Sequence, residues 1–271
     1  MKKLIISTIC TFAITLVAVA QEKIDVMRYE YQLTFPAWTI GTEKSVMGKV
    51  EVVYLDIYSN ESRCISAGSD QSNENLIKMG RNVGKATDLG ESQTAVRWSV
   101  YNTQGKLNTY LSTGLDRYNV EEMSNQINWT ISTDVEDYNG MKVQKAVGEL
   151  SGRTWTVWFT QDIPLIEGPY KFKNLPGFVV KAEDSTGDYK FELLKSEKAV
   201  SSYWLPKNYS DAIKVNQTQW NKIRNSIANK NLTQMLEERG TKINISQIQD
   251  PKVLEELSRK VGKEDKPIEF Y

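Results

Sequence analysis

The chain contains no histidine, so any chemistry it performs must run on carboxylates, amines, hydroxyls, thiols and aromatic faces. That one absence excludes Ser-His-Asp and Cys-His catalysis. It also removes the commonest nitrogen ligand for zinc, copper or haem. A G-x-S-x-G elbow, an S-x-x-K pair, a P-loop and a G-x-G-x-x-G fingerprint are missing as well. No metal and no cofactor is expected. Among the acidic groups, Asp184-Ser185-Thr186-Gly187 is similar to an aspartic-protease triplet, but with one residue too many between Asp and Gly. It falls between two alternating segments, where a hairpin turn belongs. Asp134, Glu136 and Asp137 do not follow EF-hand spacing and have no late Glu in register, so they read as a solvated turn. Spacing alone nominates no carboxylate pair for acid/base work.

The stretch from Gly168 to Val180, GPYKFKNLPGFVV, concentrates recognition-type side chains between Pro/Gly punctuation. Pro169 and Pro176 each fix φ and remove an N–H, and Gly177 after Pro176 suits the positive-φ position of a type II turn. Tyr170 and Phe172 then point one way, Lys171 and Lys173 the other. Two readings stay open. The segment is a rigid corner that pins two aromatics into the core between strands around 155–160 and 178–183, or it is a lip whose lysines and Tyr170 face a ligand. In RTWTVWFT, Trp155, Val157 and Phe159 share one face. Trp158 lies on the other, to be covered by C-terminal helices or to line a groove. Trp158, Tyr170 and Lys171 are the candidate binding residues, the aromatics supplying contact area and Lys171 accepting an anionic head group or carboxylate.

A sheet must position these groups. From Ile24 to about Val200, apolar residues alternate and turn dipeptides recur, the pattern of antiparallel strands. In KIDVMRYEYQLTF, Tyr29, Tyr31, Leu33 and Phe35 fall on one face and Arg28, Glu30 and Gln32 on the other. KVEVVYLDIY and ESRCISA follow across Ser59-Asn60. The polar run from 69 to 92 reads as a loop with one helical turn, and as a candidate flap. TAVRWSVY and KLNTYLS pair across a turn at 102–105, INWTISTDVEDY and MKVQKAVGEL across Asn139-Gly140, GELSGRTWTVWFT extends the meander through Ser151-Gly152, and FVVKAED pairs with DYKFELLKSEK. Thereafter the period changes. Trp220, Ile223, Ile227, Leu232 and Met235 recur at helical steps, and DPKVLEELSRKVG offers Asp250 as N-cap with Pro251 at the first helical position. The expected fold class is α+β: a curved, half-barrel-like antiparallel sheet over 21–200, with a helical region 201–271 packed on it in the same domain. Such a sheet could enclose an apolar cavity, as the periplasmic lipoprotein carriers do, which is an analogy of fold only.

Residues 1–20, MKKLIISTICTFAITLVAVA, place two lysines before an apolar run too short to span a bilayer, and end in Ala18-Val19-Ala20 before Gln21. A cleaved signal peptide with Ala18, Ala20 and Gln21 at the cut is expected, and with it a periplasmic or extracellular destination, outer-membrane association included. Cys10 follows Ile9 rather than a small residue, so lipid attachment is not expected. The 34 basic and 34 acidic residues cancel, and no cluster marks nucleic acid or an anionic membrane. Cys64, alone after cleavage, has no internal partner, and in SRCISA it reads as a small buried hydrophobe.

The segment NGMKVQKAVGELSGRTWTVWFTQDIPLIEGPYKFKNLPGFVVKAED resembles the signature of the GLPGLI family, secreted Gram-negative envelope proteins of unestablished role. The residues that carry the resemblance are Lys145-Ala146, Gly152-Arg153, Trp158, Ile163-Pro164, Gly168-Pro169, Phe172 and Leu175-Pro176-Gly177, with Pro267-Ile268-Glu269 near the end. Asn174, Phe178 and Val179 depart from the family name. Asn is the non-glycine residue that best tolerates positive φ, so such a conformation is expected at Asn174. The resemblance implies an exported protein and leaves its activity open. Non-enzymatic binding of a hydrophobic or peptide ligand or an envelope partner is the first reading. A carboxylate-dependent hydrolase acting on glycans and a structural or assembly factor are the others.

Overall fold

The computed structural model describes residues 23–78, 94–113, 115–205 and 211–270. The signal segment, with Ala18, Ala20 and Gln21, lies outside them, as does most of the polar run after Lys78. Among the described residues twelve strands form one sheet. They are β1 (Ile24–Ala37), β2 (Val46–Tyr58), β3 (Glu61–Ser66), β4 (Trp98–Thr103), β5 (Lys106–Thr113), β6 (Asp116–Met123), β7 (Thr130–Tyr138), β8 (Met141–Leu150), β9 (Arg153–Thr160), β10 (Phe178–Asp184), β11 (Lys190–Ser201) and β12 (Ile213–Val215). The order across the sheet is β12-β6-β5-β4-β3-β2-β1-β11-β10-β9-β8-β7. Every pair is antiparallel except β12 with β6. The sheet is therefore open, its edges being β12 and β7. The helices are α1 (Ala67–Lys78), α2 (Gln217–Ala228), α3 (Leu232–Glu237) and α4 (Pro251–Ser258). With so little helix the chain is mostly β, and α+β holds only as a coarse label.

Turn chemistry sets the registers. Asn139 and Gly140 have φ of 53° and 80°, and Ser151 and Gly152 have 46° and 82°, the paired positive values of tight hairpins whose twist matches the flanking strands. The β1 pattern holds: Tyr29, Tyr31, Leu33 and Phe35 are buried. On the opposite face Arg28, Asp56, Arg63 and Asp70 form a buried ion network, with Arg63 Nη2 2.7 Å from Asp56 and 3.0 Å from Asp70. Asp70 belongs to α1, so the network fastens that helix to β1–β3. The sequence reading had allowed one helical turn where α1 spans twelve residues. Its apolar periodicity is weak, and Asp70 holds it through the nearby Arg63 and the sequence-distant Arg28 and Tyr203. The helical periodicity from 220 to 235 is likewise broken in two. Asn231 caps α3 with its own reciprocal box to Gln234, and Asn216 does the same for α2 with Gln219. At α4 the expected cap is present, with Asp250 accepting from Lys252 N and Pro251 in the first turn.

The sheet curls around the 161–177 connection. Tyr170 lies 4.7 Å from Trp98 of β4, ring to ring, while Phe172 lies 4.6 Å from Trp155 of β9 and 5.7 Å from Phe191 of β11. The Tyr31 hydroxyl donates to Val179 O at 2.6 Å, and Trp129 Nε1 donates to Lys173 O at 2.8 Å. Strands distant in sheet order thus meet the same loop, which requires strong curvature. Each buried aromatic contributes about 2–3 kcal/mol, and this cluster is the centre of the core. Cys64 belongs to it, and burial pushes its thiol up to about 12, the inert state expected of a packing cysteine.

Candidate functional site

The 161–177 segment is not a strand, and it is exposed at Gln161, Asp162, Pro164, Ile166, Asn174 and Pro176 but buried from Gly168 to Lys173. Pro164 precedes the buried part, and Gly168 and Pro169 then turn the chain inward, so that Tyr170, Lys171, Phe172, Lys173 and Leu175 are all buried. The corner is not an exposed edge: its two lysines point into the protein and are neutralised there. Lys173 pairs with Glu167 and donates to Gly168 O at 2.6 Å. Lys171 Nζ sits 2.5 Å from Glu122 of β6 and 2.6 Å from Glu269 near the C-terminus. Burial pulls the Lys171 ammonium down, but Glu269 and Glu122 more than offset it, so it stays raised. Burial pushes the Glu122 carboxyl up, against the pull of Lys171 and with Glu269 adding to the rise. The Tyr170 hydroxyl donates to Glu269 Oε1 at 2.7 Å.

Positive φ occurs at Tyr170 (52°) and Asn174 (63°), and not at Gly177. Asn174 takes the conformation expected of it. Gly177 is required for a different reason from the one expected: a Cβ there would lie 2.4 Å from Thr160 O and 2.9 Å from Phe159 Cδ2. Close approach to β9 replaces the turn argument, and Pro176 only sets the entry to β10. Gly168 is constrained in the same way, 2.5 Å from Phe172 O. For Tyr170, a bulky residue, the left-handed region is a strained state that the surroundings must hold, and such states cluster at ligand clamps and active sites.

Trp158 lies elsewhere. It stands in register with Lys145 of β8 and Lys181 of β10, and their ammonium groups sit 5.6 and 4.0 Å from its ring centroid. Two cross-strand lysines flank its ring, a cation–π row along three neighbouring strands. The structure therefore keeps Tyr170 and Lys171 together and separates Trp158 from them. Ala146, in the next register of β8, is fully buried opposite Val157.

Tyr170 and Lys171 form part of the wall of a cavity of about 280 Å³ between the sheet and the C-terminal third. Trp98, Leu111 and Val120 supply the sheet side, Trp220, Arg224 and Ala228 the α2 side, and residues 261–270 run across it as a strap. Trp220 is anchored on Tyr118 at 5.4 Å. The strap is tied at each end. Val261 N and Gly262 N donate to Lys230 O and Ala228 O, and Asp265 accepts from Ser45 N and Oγ. Tyr189 Oη donates to Lys266 O, Arg153 Nε to Pro267 O at 2.8 Å, and Phe270 N to Ser151 O. Arg153, packed beside Gly152, also holds Asp184 Oδ2 at 2.6 Å. Asp184-Ser185-Thr186-Gly187 is thus the turn between β10 and β11, as expected, with its first residue used as a clamp for arginine. Segments distant in sequence, Gly152-Arg153, Gly168–Lys171 and Pro267–Glu269, converge here.

The sequence reading missed Glu122, Glu264, Arg97 and Arg224. Glu122 falls in β6, a strand not recognised because DRYNVEEM lacks clean alternation. Arg224 follows Trp220 by four residues and so shares its helix face, a signal that was available. Arg97 lies in TAVRWSVY, read as a strand, whereas β4 begins only at Trp98; Glu264 lies in a stretch without periodicity. Burial pushes the Glu264 carboxyl up to about 7, against the pull of Arg97 and Arg224. Burial also draws both arginines down, against Glu264. Asp134, Glu136 and Asp137 lie in β7 rather than in a turn, exposed, and among the described residues no acidic, histidine or cysteine cluster has metal-site geometry. No described helix is long and apolar enough to cross a membrane.

No known family profile and no curated protein matches the chain. Two crystal structures of PNGF-II, in P21 and C2 space groups, are similar to it, with TM-scores of 0.48 and 0.47 and 13% identity, over 73% of this chain. The matches cover 33% and 32% of those chains, so this chain spans about a third of their length. A likeness that distant transfers neither a site nor an activity.

Proposed function

We propose that this chain is an exported protein of the GLPGLI type that binds a small, largely apolar ligand in the cavity under its C-terminal strap, without chemistry. One observation carries the reading: a half-enclosed cavity walled by Trp98, Trp220 and the strained Tyr170, with a few charged groups converging on it. Small-molecule sites have this composition, and about 300–1000 Å³ is their ordinary range, so a ligand at the small end fits. Two of the segments that carry the resemblance, Gly152-Arg153 and Pro267–Glu269, meet at the strap through the bond from Arg153 Nε to Pro267 O, which supports the family reading. Against a glycan hydrolase, the two buried carboxylates Glu122 and Glu269 share one ammonium rather than facing each other across an open cleft. The test uses N-phenyl-1-naphthylamine, a neutral fluorophore that brightens in apolar surroundings. The protein should bind it saturably, and Leu111→Trp, which fills the cavity without deleting a packing group, should weaken binding at least tenfold. Equal binding by that variant would overturn the site.

A further inference from the structure

The strap seats on the sheet as a separate piece, and the stretch of chain that carries it is mostly bare. From Thr241 to Phe270 only Val261, Pro267 and Glu269 are buried. Gly240, at a φ of 82°, closes α3, and residues 241–250 after it hold one short turn, Ile245–Gln247, with nothing buried. α4 buries no residue either. Two seats then hold the piece. At the first, Val261 N and Gly262 N donate to Lys230 O and Ala228 O at 2.9 and 3.0 Å, and Thr233 Oγ1 donates to Leu257 O at 3.1 Å. At the second, Lys266–Phe270 is read along its length. Asp188 takes the Lys266 ammonium at 2.6 Å, Tyr189 and Arg153 donate to Lys266 O and Pro267 O, Tyr170 and Lys171 take the Glu269 carboxylate, and Ser151 O accepts from Phe270 N. This second seat has anchors of its own, since Asp184 holds Arg153 at 2.6 Å and Glu122 holds Lys171 at 2.5 Å.

We propose that residues 251–270 exchange between two copies of this chain, with 241–250 as the hinge, so that each copy's strap closes the other's cavity. One copy's Glu269 then meets the other's Tyr170 and Lys171, and its Pro267 carbonyl meets the other's Arg153. Every contact of the seated strap is remade across the pair and none is new, which makes exchange of an identical element a low-cost route to a dimer. The occupant is a second copy because the sequence that the seat reads, Lys266–Phe270, is carried by every copy. The hinge has the reach: residues 241–250 span about 33 Å when extended, against a radius of gyration of roughly 18 Å for a domain of about 250 residues. A bare hinge of this length holds the strap at its own sheet with an effective concentration on the order of millimolar. Exchange therefore belongs to protein concentrations of that order, and at micromolar concentration each chain keeps its own strap. The inference stands on the contacts of the strap and is independent of what the cavity binds.

A pair of cysteine variants reads the exchange in the full chain. Ser45 Oγ lies 2.5 Å from Asp265 Oδ1 at the surface, so cysteines at these two positions come within disulfide reach whenever a strap is seated. Every chain also carries Cys10→Ser, which leaves the buried Cys64 as its only other thiol. Ser45→Cys chains and Asp265→Cys chains, made with tags of different mass, are mixed and held just below the unfolding transition, where undocking is fast, then cooled and oxidised with diamide. Neither chain closes this disulfide on itself, and two chains of one variant cross-link only by collision. Exchange predicts a mixed disulfide dimer about tenfold more abundant than the same-variant dimers at about 1 mM protein, falling severalfold at about 10 µM. The double variant, Ser45→Cys with Asp265→Cys, should give a monomer with an internal disulfide at about 10 µM and a covalent dimer at about 1 mM. Mixed dimers no more abundant than same-variant dimers, with the double variant closing only on itself, overturn the exchange. A double variant that closes neither way overturns the seat from which the exchange follows.

Discussion

Replacing Lys171 by methionine keeps the length and apolar stem of the side chain and removes only its charge. In the wild-type protein that charge lies 2.5 Å from Glu122 and 2.6 Å from Glu269, with the lysine side chain 1% exposed. Removing one partner of a buried ion set leaves uncompensated carboxylates in the interior, a loss of about 3–5 kcal/mol. For a chain of this size that lowers the melting temperature by roughly 6–20 °C. The loss should depend on pH. Without Lys171 the Glu122 carboxyl, already pushed up by burial, loses the charge that pulls it down and stays buried by taking up a proton, so its folded pKa rises further above the unfolded one. Groups shifted that way bind more protons folded than unfolded, and stability falls as pH rises through the interval between the two values. The deficit of Lys171→Met should therefore be small near about pH 4.5 and full near about pH 8, in the direction already set by the raised Glu122 carboxyl. Urea unfolding followed by tryptophan fluorescence at both pH values reads it directly. Adding Glu122→Gln and Glu269→Gln to Lys171→Met should restore part of the loss, because the buried charges then vanish together. A deficit below about 1 kcal/mol at pH 8, or one equal at both pH values, would refute the argument.

Gly177→Ala should cost about 1–3 kcal/mol through its clash with Thr160 O, whereas Asn174→Ala should cost about 1 kcal/mol through its 63° φ; thermal melts of the two variants check both figures. Cys64, buried and with its thiol pushed up to about 12, should react with a thiol reagent only at the rate of global unfolding, and a fast phase in native buffer would contradict that placement. Glu264→Gln should gain stability over the wild type above about pH 7 and match it near pH 4.5, since a raised carboxyl loses stability as pH rises to its folded value; equilibrium unfolding across that range reads the difference. Intact-mass measurement of the exported protein should give a chain beginning at Gln21, and a retained Met1 or an attached lipid would overturn the export proposal.

What the sequence determined by itself was local. The β1 alternation that buries Tyr29, Tyr31, Leu33 and Phe35, the positive φ at Asn139-Gly140 and Asn174, and the Asp250-Pro251 start of α4 all follow from properties of one or a few adjacent residues. The missing histidine likewise acts without reference to the fold. Tertiary structure decided where the ions went. Lys171 and Lys173 carry the alternation of a solvent-facing edge; Glu167, six residues away, neutralises Lys173 locally, but nothing near Lys171 in sequence announces that Glu122 and Glu269 arrive from β6 and the C-terminal strap to neutralise it. A charge can be buried only where an opposite charge meets it, and such a meeting is set by chain topology. For the same reason Trp158 could be assigned to a face but not to its cover, since Lys145 and Lys181 reach it only through the pairing of β8 and β10 with β9. The cavity is nonlocal in the strictest sense, its wall drawn from the sheet, α2, the 161–177 connection and the strap. Only the closing of that strap over the curved sheet places Arg97, Arg224 and Glu264 together, because the enclosed space that desolvates them does not exist in any one segment.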